Sequence, residues 1–469
     1  MARVFLVNPP SPEPVYTPLL SFCHLAASLR ASGHEVALLD ASAPFAPKEH
    51  RAIVEHIAAW GPDVVGVHLK TLHVQFAYAL AAVLAERFTL VAGGPHATIV
   101  PAEPLAHGFR WVLRGECEEA LVELADMIDG TREASAIAGL TWRERGMVRQ
   151  NPDRPFSMEL DRLAPPLGAL DLFDPRWYGA AAVGTELAPG GLLSSRGCPA
   201  ACTFCSNDVT GRKFRYRSAA SVAAEVATLR NERDKVGITF LDDSFAVGKR
   251  RVHELCAAIA GIGAPVWWTC TAHPSHLDRE VLVAMKAAGC AGIDIGMESA
   301  DPEMLLAIGK GVTVERVLDV LRWSRELGIH TVVNLMLAWP DETAAQLDAT
   351  IGFLERAAPI AGGFNARGVV VPYPGTQIYE RNHAKYGFTG WWLTEPPLAY
   401  LPFPTSWNEE EVVRAYGDDP ALDRNFFRHP PHRIERVREA LALKARLTIE
   451  ITRRRSEPLE VGVPAAGAR

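Results

Sequence analysis

The residues of this sequence best suited to chemistry are three cysteines in one short loop, at a C-x3-C-x2-C spacing. Cys198, Cys202 and Cys205 lie within residues 194–207, close enough for their thiols to converge on one metal centre. A 4Fe–4S cluster takes four ligands, so three cysteines leave one iron open. The spacing therefore predicts an iron–sulfur cluster with a coordination position for a substrate or cosubstrate.

Two other uses of these cysteines were weighed. A structural zinc site needs a fourth Cys or His at short spacing, and none lies between Gly191 and Gly211. A disulfide needs an oxidising compartment, whereas the first residues predict a strand rather than a secretory signal. The remaining cysteines are interpreted as small buried hydrophobic residues in a reducing cytosol: Cys23, Cys117, Cys256, Cys270 and Cys290.

Bulk composition excludes some classes of partner. The 469 residues are 48% hydrophobic and 22% charged, with a net charge of −7. A general nucleic-acid partner would require a basic face, and no apolar run is long enough for a membrane span. We therefore expect a cytoplasmic globular protein that binds neither nucleic acid nor membrane.

The first third of the chain alternates short apolar strands with helices, which predicts a doubly wound, Rossmann-like parallel sheet. Strands are predicted at residues 3–7, 33–40, 62–67, 88–92 and 111–113. Ligands of such sheets bind beyond the carboxyl ends of the strands, here the loops at 8–10, 68–71 and 93–96. A hairpin at 139–148 and a Pro-rich linker at 150–190 are expected to follow.

A second series of strands and helices predicts a partial (β/α)6 barrel. Its strands are predicted at 191–195, 236–241, 266–270, 291–297, 330–337 and 366–371. The cysteine loop follows the first of them, at the end of the barrel where active sites lie. Beyond it we expect a helix near 432–453, then a solvated, disordered tail that begins with the basic run 453–455.

The cysteine spacing, with Phe204 just before the last cysteine, resembles the radical S-adenosylmethionine (SAM) superfamily. The resemblance implies that SAM chelates the open iron and is cleaved to a 5′-deoxyadenosyl radical. The segments Asn-Pro-Pro, Gly-His-Glu-Val and Gly-Gly-Pro-His resemble the cobalamin-binding-like domain found ahead of many radical SAM domains. The implied organisation is 1–135 for this domain, 136–190 for hairpin and linker, 191–376 for the barrel and 377–469 for a mostly helical carboxyl-terminal region.

The same resemblance implies a set of SAM contacts. Phe204 would pack on the cluster near adenine, unless it is an ordinary loop aromatic. Asp242 and Asp243 end a strand that holds the methionyl amine, directly or from behind backbone carbonyls. Glu298 would accept from the ribose hydroxyls, unless it pairs with an Arg to close the barrel. The other expected SAM contacts are Ser299 and, through the backbone, Leu335.

Substrate residues were expected on the same strand ends. Asp294 is a candidate for holding ammonium groups of a polyhydroxylated or amino-sugar substrate, and Trp339 for closing the cavity. Cys270 is a candidate for chemistry specific to this substrate. Tyr216 is a candidate proton donor or acceptor, or else a surface tyrosine.

Two reactions and one non-enzymatic role compete. The whole chain resembles radical SAM diol dehydratases of aminoglycoside (apramycin-type) biosynthesis, which implies dehydration without cobalamin. The alternative is a cobalamin-dependent C-methyltransferase. It is disfavoured by the bulky loop 68–73 and the lack of an Asp-x-His-x-x-Gly motif. A redox-sensing iron–sulfur protein is the third hypothesis. For the enzymes, a flavodoxin- or ferredoxin-type electron donor is expected.

Overall fold

The structure, a computed structural model, describes residues 1–179, 188, 190–232, 237–402, 404 and 406–456. These residues form two mainly parallel sheets with helices between their strands, followed by a helical region. The α/β architecture predicted from the alternating sequence pattern is confirmed. Among the described residues, none of the helices combines the length and the hydrophobicity that crossing a lipid bilayer requires.

The first sheet has seven strands in the order β2-β1-β3-β4-β5-β6-β7. Strands β1 to β5 run parallel, and the hairpin β6–β7 continues the sheet in antiparallel pairing. The strands are β1 Arg3–Asn8, β2 Glu35–Asp40, β3 Val64–His68, β4 Leu90–Gly93, β5 Trp111–Leu113, β6 Leu140–Glu144 and β7 Met147–Gln150. The helices are α1 Leu20–Ala31, α2 His50–Trp60, α3 Val74–Leu84, α4 Pro95–Ile99 and α5 Glu118–Ile128. Because β2 and β3 flank β1, the winding reverses there, which opens a crevice at the carboxyl ends of the strands.

The segment predicted as a linker, 150–190, is largely packed onto this first sheet. It contains short 3-10 helices at Leu160–Arg162, Pro166–Leu172 and Pro175–Tyr178. Phe173 and Tyr178 are buried, and Asp171 pairs with Arg30 of α1 at 2.7 Å. Apolar residues lie between the prolines of this segment and pack into the core of the first domain. This packing explains why the segment is not an extended linker. Residues 180–187 and 189 lie outside the described residues.

The second sheet has five parallel strands in the order β10-β11-β12-β13-β14. They are β10 Gly237–Phe240, β11 Trp267–Ala272, β12 Cys290–Glu298, β13 His330–Leu335 and β14 Gly363–Phe364. A two-stranded antiparallel ribbon, β8 Ser195–Arg196 with β9 Arg215–Tyr216, precedes them. The helices are α6 Ala219–Glu232, α7 Lys249–Ala260, α8 Arg279–Ala287, α9 Pro302–Ala307, α10 Val314–Glu326 and α11 Ala344–Ala357.

Both edge strands of the predicted barrel are shorter than expected. At the first edge, residues 191–195 contribute one bridge, Leu192 to Phe240. At the last edge, the ladder is at Gly363–Phe364, and the predicted 366–371 makes only the bridge Leu337 to Val369. The side chain of Asn365 explains this second difference, because its amide bonds both the N–H and the C=O of Leu335.

The carboxyl-terminal region contains α12 Gln377–Tyr386, α13 Glu409–Gly417, α14 Pro420–Arg424 and α15 Pro431–Ser456. α15 packs against α11, α13 and β14. The predicted helix at 432–453 is thus present and runs further, through the basic run that was expected to be disordered. Residues 457–469, the rest of the predicted disordered tail, lie outside the described residues.

Candidate active site

The cysteine loop lies directly after β8 and is held by backbone hydrogen bonds from distant segments. Thr203 N–H donates to the carbonyl of Ile308 at 2.9 Å, and the carbonyl of Thr203 accepts from Ile378 N–H at 3.0 Å. Gly309 approaches the loop so closely that a Cβ there would lie 2.9 Å from the carbonyl oxygen of Ala201. Three separate chain segments therefore fix the conformation of the loop.

The surroundings of the three thiols favour a bound metal centre over three free thiols. All three cysteines are free of disulfides, so the disulfide alternative has no support. Burial, together with repulsion from the neighbouring Cys202 and Cys198, raises the pKa of the Cys205 thiol to about 11. Metal binding requires thiolates, which iron would stabilise here. Among the described residues, no group of three His, Cys, Asp or Glu is arranged for a single metal ion; the ligands of a 4Fe–4S cluster bind different irons.

Glu298 and Lys310 form a buried ion pair beside this loop. The Lys310 ammonium lies 3.0 Å from the Glu298 carboxylate and 5.9 Å from the centre of the Phe204 ring. Glu298 has a φ of 72°, and a Cβ at Gly296 would meet its carboxylate at 2.3 Å. The partner of Glu298 is thus Lys310 and not the arginine of the alternative prediction. The second carboxylate oxygen of Glu298 accepts no hydrogen bond from the described part of the chain.

Asp242 and Asp243 point to opposite sides of their strand end, as adjacent strand residues do. The Asp242 carboxylate is buried, accepts from Ser194 N–H at 2.7 Å and lies 3.5 Å from Arg251. Burial raises its pKa. The Asp243 carboxylate accepts from Gly197 N–H and Thr210 Oγ1, both at 2.9 Å. Asp243 therefore braces the cysteine loop, whereas Asp242 has no access to a ligand there.

Two other expected SAM contacts are committed to the protein itself. The hydroxyl of Ser299 accepts from Asp301 N–H at 3.2 Å and is buried. The N–H and C=O of Leu335 are both bonded by the amide of Asn365. These hydrogen bonds compete with the expected backbone contact of Leu335 with adenine, which stays a prediction.

Cys270 and Tyr216 are not at the centre of the site. Cys270 lies on the outer face of the sheet, buried beside Cys290, and burial raises its pKa well above the usual range. Burial beside Cys290 gives no support to a catalytic role for Cys270, which stays a prediction. The Tyr216 side chain is exposed and stacks on Phe214, with the Arg251 guanidinium 5.7 Å from its ring centre.

Asp294 and Trp339 occupy contrasting environments. Asp294 is in register with Thr271 and Val332 on the face opposite Cys270, and it is exposed there. Partial burial nevertheless raises its pKa. Trp339 is fully buried, packs edge-on against Phe204 at 5.5 Å between ring centres, and donates its Nε1–H to the carbonyl of Met336 at 2.9 Å. Asp294 thus faces the barrel interior, while Trp339 is a wall behind Phe204.

A cavity of about 500 Å³ lies between the carboxyl ends of the first sheet and the cysteine-loop side of the barrel. Its wall on the barrel side includes Leu241, Asp243 and Thr210, and its floor on the sheet side is mostly apolar. Four glycines, which add no side chains to the cavity, belong to this floor: Gly66, Gly93, Gly94 and Gly115. Sequence analysis missed Gly66 and Gly115, although small residues at successive strand ends were a signal for them.

The loop that was expected to be too bulky for a corrin does not fill this cavity. Only His68 and Lys70 of residues 68–73 line it. Leu69 and Thr71 are buried inside the first domain, and the His73 ring turns away to the Ser11 hydroxyl at 3.1 Å. The argument against cobalamin from loop bulk is therefore corrected, because the large side chains point elsewhere.

Buried ion pairs join the two sheets next to the cavity. Arg196 after the barrel's first edge donates to Glu118 at 2.5 Å, and Arg215 pairs with Glu116 at 2.6 Å. All four side chains are largely buried. Removing one partner would leave a buried charge unpaired, which is strongly destabilising, so this network holds the crevice of the first sheet against the cysteine loop.

Comparisons with known proteins agree with this division of the chain. The family model of the radical SAM superfamily matches residues 192–354, and that of the B12 binding domain matches residues 15–125. An uncharacterized methyltransferase of Pyrococcus horikoshii is 31% identical over 390 residues, which are 81% of this chain and 82% of the relative. Cytidylyl-2-hydroxyethylphosphonate methyltransferase of Streptomyces wedmorensis is 26% identical over 478 residues, 88% of each chain.

Two solved structures share the fold. The first is the radical SAM methyltransferase TsrM from Kitasatospora setae, with cobalamin and a [4Fe-4S] cluster bound; its TM-score is 0.70 at 20% identity. The match covers 95% of this chain and 89% of TsrM. The cobalamin-dependent SAM radical enzyme OxsB, with aqua-cobalamin and SAM bound, has a TM-score of 0.66 at 19% identity over 83% of this chain. This chain spans 56% of OxsB. At such identities the likeness establishes the fold alone.

Proposed function

The chain belongs to the radical SAM superfamily and carries a B12-binding domain ahead of its radical SAM domain, and on that premise we propose that it is a cobalamin-dependent radical SAM methyltransferase. The observation that carries the proposal is the cavity between the two sheets. It lies where the crevice of a doubly wound sheet binds its ligand and also opens toward the cysteine loop.

The residues of this cavity fit a corrinoid. A flat macrocycle needs a floor without projecting side chains, which the glycines at 66, 93, 94 and 115 provide. A Cβ at Gly66 would lie 2.9 Å from the side chain of Leu6, which also lines the cavity. When bound, cobalamin supplies a methyl group that can be transferred to a substrate radical.

The protein's own groups divide the work at the other cofactor. Cys198, Cys202 and Cys205 hold the 4Fe–4S cluster, whose open iron takes SAM. The Lys310 ammonium holds the Glu298 carboxylate at 3.0 Å and orients it beside Phe204. The remaining carboxylate oxygen of Glu298 is the acceptor we propose for the ribose hydroxyls of SAM.

Substrate is proposed to bind on the inner face of the second sheet. Asp294 and Thr271 share one level of this face, and the Thr239 and Thr269 hydroxyls, 3.2 Å apart, share the level below. The face therefore offers hydrogen-bonding groups and one carboxylate to a small molecule. We retain a hydroxyl- or amine-bearing substrate and a flavodoxin- or ferredoxin-type reductant as proposals.

The dehydratase interpretation has lost its main support. Its physical basis was a crowded cobalamin site, and the cavity is open. The two curated relatives described above and TsrM are named as methyltransferases, and none of the matches described above is named a dehydratase. The methyltransferase hypothesis, first held as the alternative, is thus the better supported one.

The test uses the full-length protein reconstituted with iron, sulfide and hydroxocobalamin, then desalted, reduced and given methyl-labelled SAM. We expect two products without any added substrate: 5′-deoxyadenosine from radical cleavage, and S-adenosylhomocysteine from loss of the methyl group. Both are quantified by chromatography with mass detection.

Two matched preparations separate the activities. Protein reconstituted without corrinoid should release 5′-deoxyadenosine and no S-adenosylhomocysteine. The variant Cys205→Ala with corrinoid should release no 5′-deoxyadenosine, because the cluster that holds and cleaves SAM is lost. Corrinoid-loaded protein that releases only 5′-deoxyadenosine would contradict the proposal.

A further inference from the structure

His68 is the last residue of β3, and its side chain lines the cavity between the two sheets. The edge of its ring formed by Cδ2 and Nε2 lies against Gly94 of the cavity floor. A Cβ at residue 94 would lie 2.5 Å from Cδ2 and 3.0 Å from Nε2. Because residue 94 is a glycine, it has no side chain that covers the Nε2 edge of the His68 ring.

A chain of hydrogen bonds behind His68 fixes its tautomer. The Asn8 amide donates through Nδ2 to Asp40 Oδ1 at 2.7 Å, so its oxygen faces the ring and lies 3.3 Å from Nδ1 of His68. An amide oxygen only accepts, and Nδ1 must therefore carry the proton. Tyr178 anchors the far end by donating to Asp40 Oδ2 at 2.7 Å.

The tautomer places the lone pair of the ring on Nε2. The proton lies on Nδ1, which faces the Asn8 amide oxygen at 3.3 Å, so the other ring nitrogen of the neutral imidazole is an acceptor. No hydrogen bond to Nε2 is made by the residues that the structure describes. Neutral imidazole whose other nitrogen donates to a protein oxygen is the form in which histidine binds metals.

We propose that Nε2 of His68 is the protein ligand to the cobalt of the corrinoid that this cavity holds. The inference rests on the proposed function, since it needs a corrinoid in the cavity. It assigns a cobalt ligand although the chain lacks an Asp-x-His-x-x-Gly loop. Asn8, Asp40 and Tyr178 act as positioning residues, because they orient the ring and touch no cofactor.

His24 is the competing histidine. It also lines the cavity, but its Nδ1 is buried without a hydrogen-bond partner among the residues that the structure describes. None of those residues therefore orients its ring as Asn8 orients that of His68. Burial lowers the pKa of His24. Of the nearby ion pair, Arg196 lowers this pKa further and Glu118 raises it. His73, in the same loop as His68, does not line the cavity and serves as the matched control.

The experiment is electron paramagnetic resonance of full-length protein loaded with cob(II)inamide, with the cluster kept in its oxidised, silent state. Cobinamide lacks the nucleotide base, so a nitrogen coupling to cobalt can come only from the protein. We expect a triplet superhyperfine splitting, which becomes a doublet when the protein contains 15N-labelled histidine. Coupling to a lysine amine would not change with this label.

Variants assign the nitrogen. In His68→Asn the amide nitrogen takes the place of Nδ1, so the bond to Asn8 is kept while Nε2 is removed, and the splitting should vanish. His24→Asn and His73→Asn should keep it. If His68→Asn does not fold, a splitting that survives His24→Asn still identifies His68, since only these two histidines line the described cavity.

The outcomes separate this inference from the proposed function. Wild-type protein that retains the corrinoid after desalting, but shows no nitrogen splitting, overturns the inference and leaves the proposed function standing. A splitting that persists in His68→Asn does the same. Failure of the wild-type protein to retain corrinoid in the visible spectrum contradicts both.

Discussion

Replacing Gly94 by alanine should destabilise the first domain, whereas the same change at the adjacent Gly93 should not. Gly94 has a φ of +100°, and an added Cβ would lie 2.5 Å from the His68 ring and 2.9 Å from the carbonyl oxygen of Leu69. At Gly93 a Cβ would meet nothing within 4 Å. The pair is therefore a matched comparison of two neighbouring glycines.

The expected magnitude has two parts. Gly94 combines a φ of 100° with a ψ of −178°, a backbone region essentially restricted to glycine that costs another residue roughly 1–3 kcal/mol, and forcing an extra carbon into a packed site costs typically about 1–3 kcal/mol. Together they predict a loss of roughly 2–6 kcal/mol for Gly94→Ala. For Gly93→Ala, with neither cause present, the change should stay within about 0.5 kcal/mol.

The assay is urea-induced unfolding of corrinoid-free protein, followed by circular dichroism, because a lower midpoint at unchanged slope reports lower stability. Corrinoid-free protein is used so that loss of binding does not contribute. Equal midpoints for Gly94→Ala and wild type would refute the argument, since the Leu69 carbonyl is backbone and cannot turn away. A larger effect at Gly93 would refute it equally.

Three further predictions concern the second domain. Cys205→Ala should lose both the cluster absorption and 5′-deoxyadenosine formation. Cys256 is buried behind the sheet, so Cys256→Ala should keep both. Cluster absorption of normal intensity in Cys205→Ala would contradict the assignment. Lys310→Met should destabilise by roughly 3–5 kcal/mol because it leaves a buried carboxylate unpaired, and adding Glu298→Gln should restore most of the loss in urea unfolding; no recovery would argue against the pair. Burial raises the pKa of Glu342 from 4.5 to about 7, so the folded protein keeps this proton over a range in which the unfolded chain has released it. Stability should therefore fall by up to about 3 kcal/mol between pH 4.5 and 7, and Glu342→Gln should be as stable as wild type near pH 4.5 but more stable at pH 8; parallel pH profiles would disprove the assignment.

Much of the fold followed from local pattern. Short apolar strands alternating with amphipathic helices predicted two α/β units, and the structure contains both sheets. The predictions were wrong at the barrel edges, where the Asn365 side chain replaces a strand partner for Leu335. Such a side-chain-to-backbone bond depends on where two segments meet, and hydropathy does not encode it.

The site residues show the same limit. Asp242 and Asp243 are equivalent as sequence, yet one pairs with Arg251 behind the sheet and the other braces the cysteine loop. Cys270 had a reactive side chain on a strand, but its position in the strand's alternation put it on the outer face. One residue of register decides between a cavity and a core, and sequence pattern alone did not give the register.

The sequence by itself determined the cysteine spacing, the type of cluster it suits and the two α/β units, because these depend on residues close together in the chain. Only the tertiary structure decided whether a corrinoid has room. The loop 68–73 is bulky as sequence, but the fold buries Leu69 and Thr71 and turns His73 toward Ser11. The direction of a side chain is set by packing against residues far away in the chain, and that direction left a glycine floor with His68 beside it.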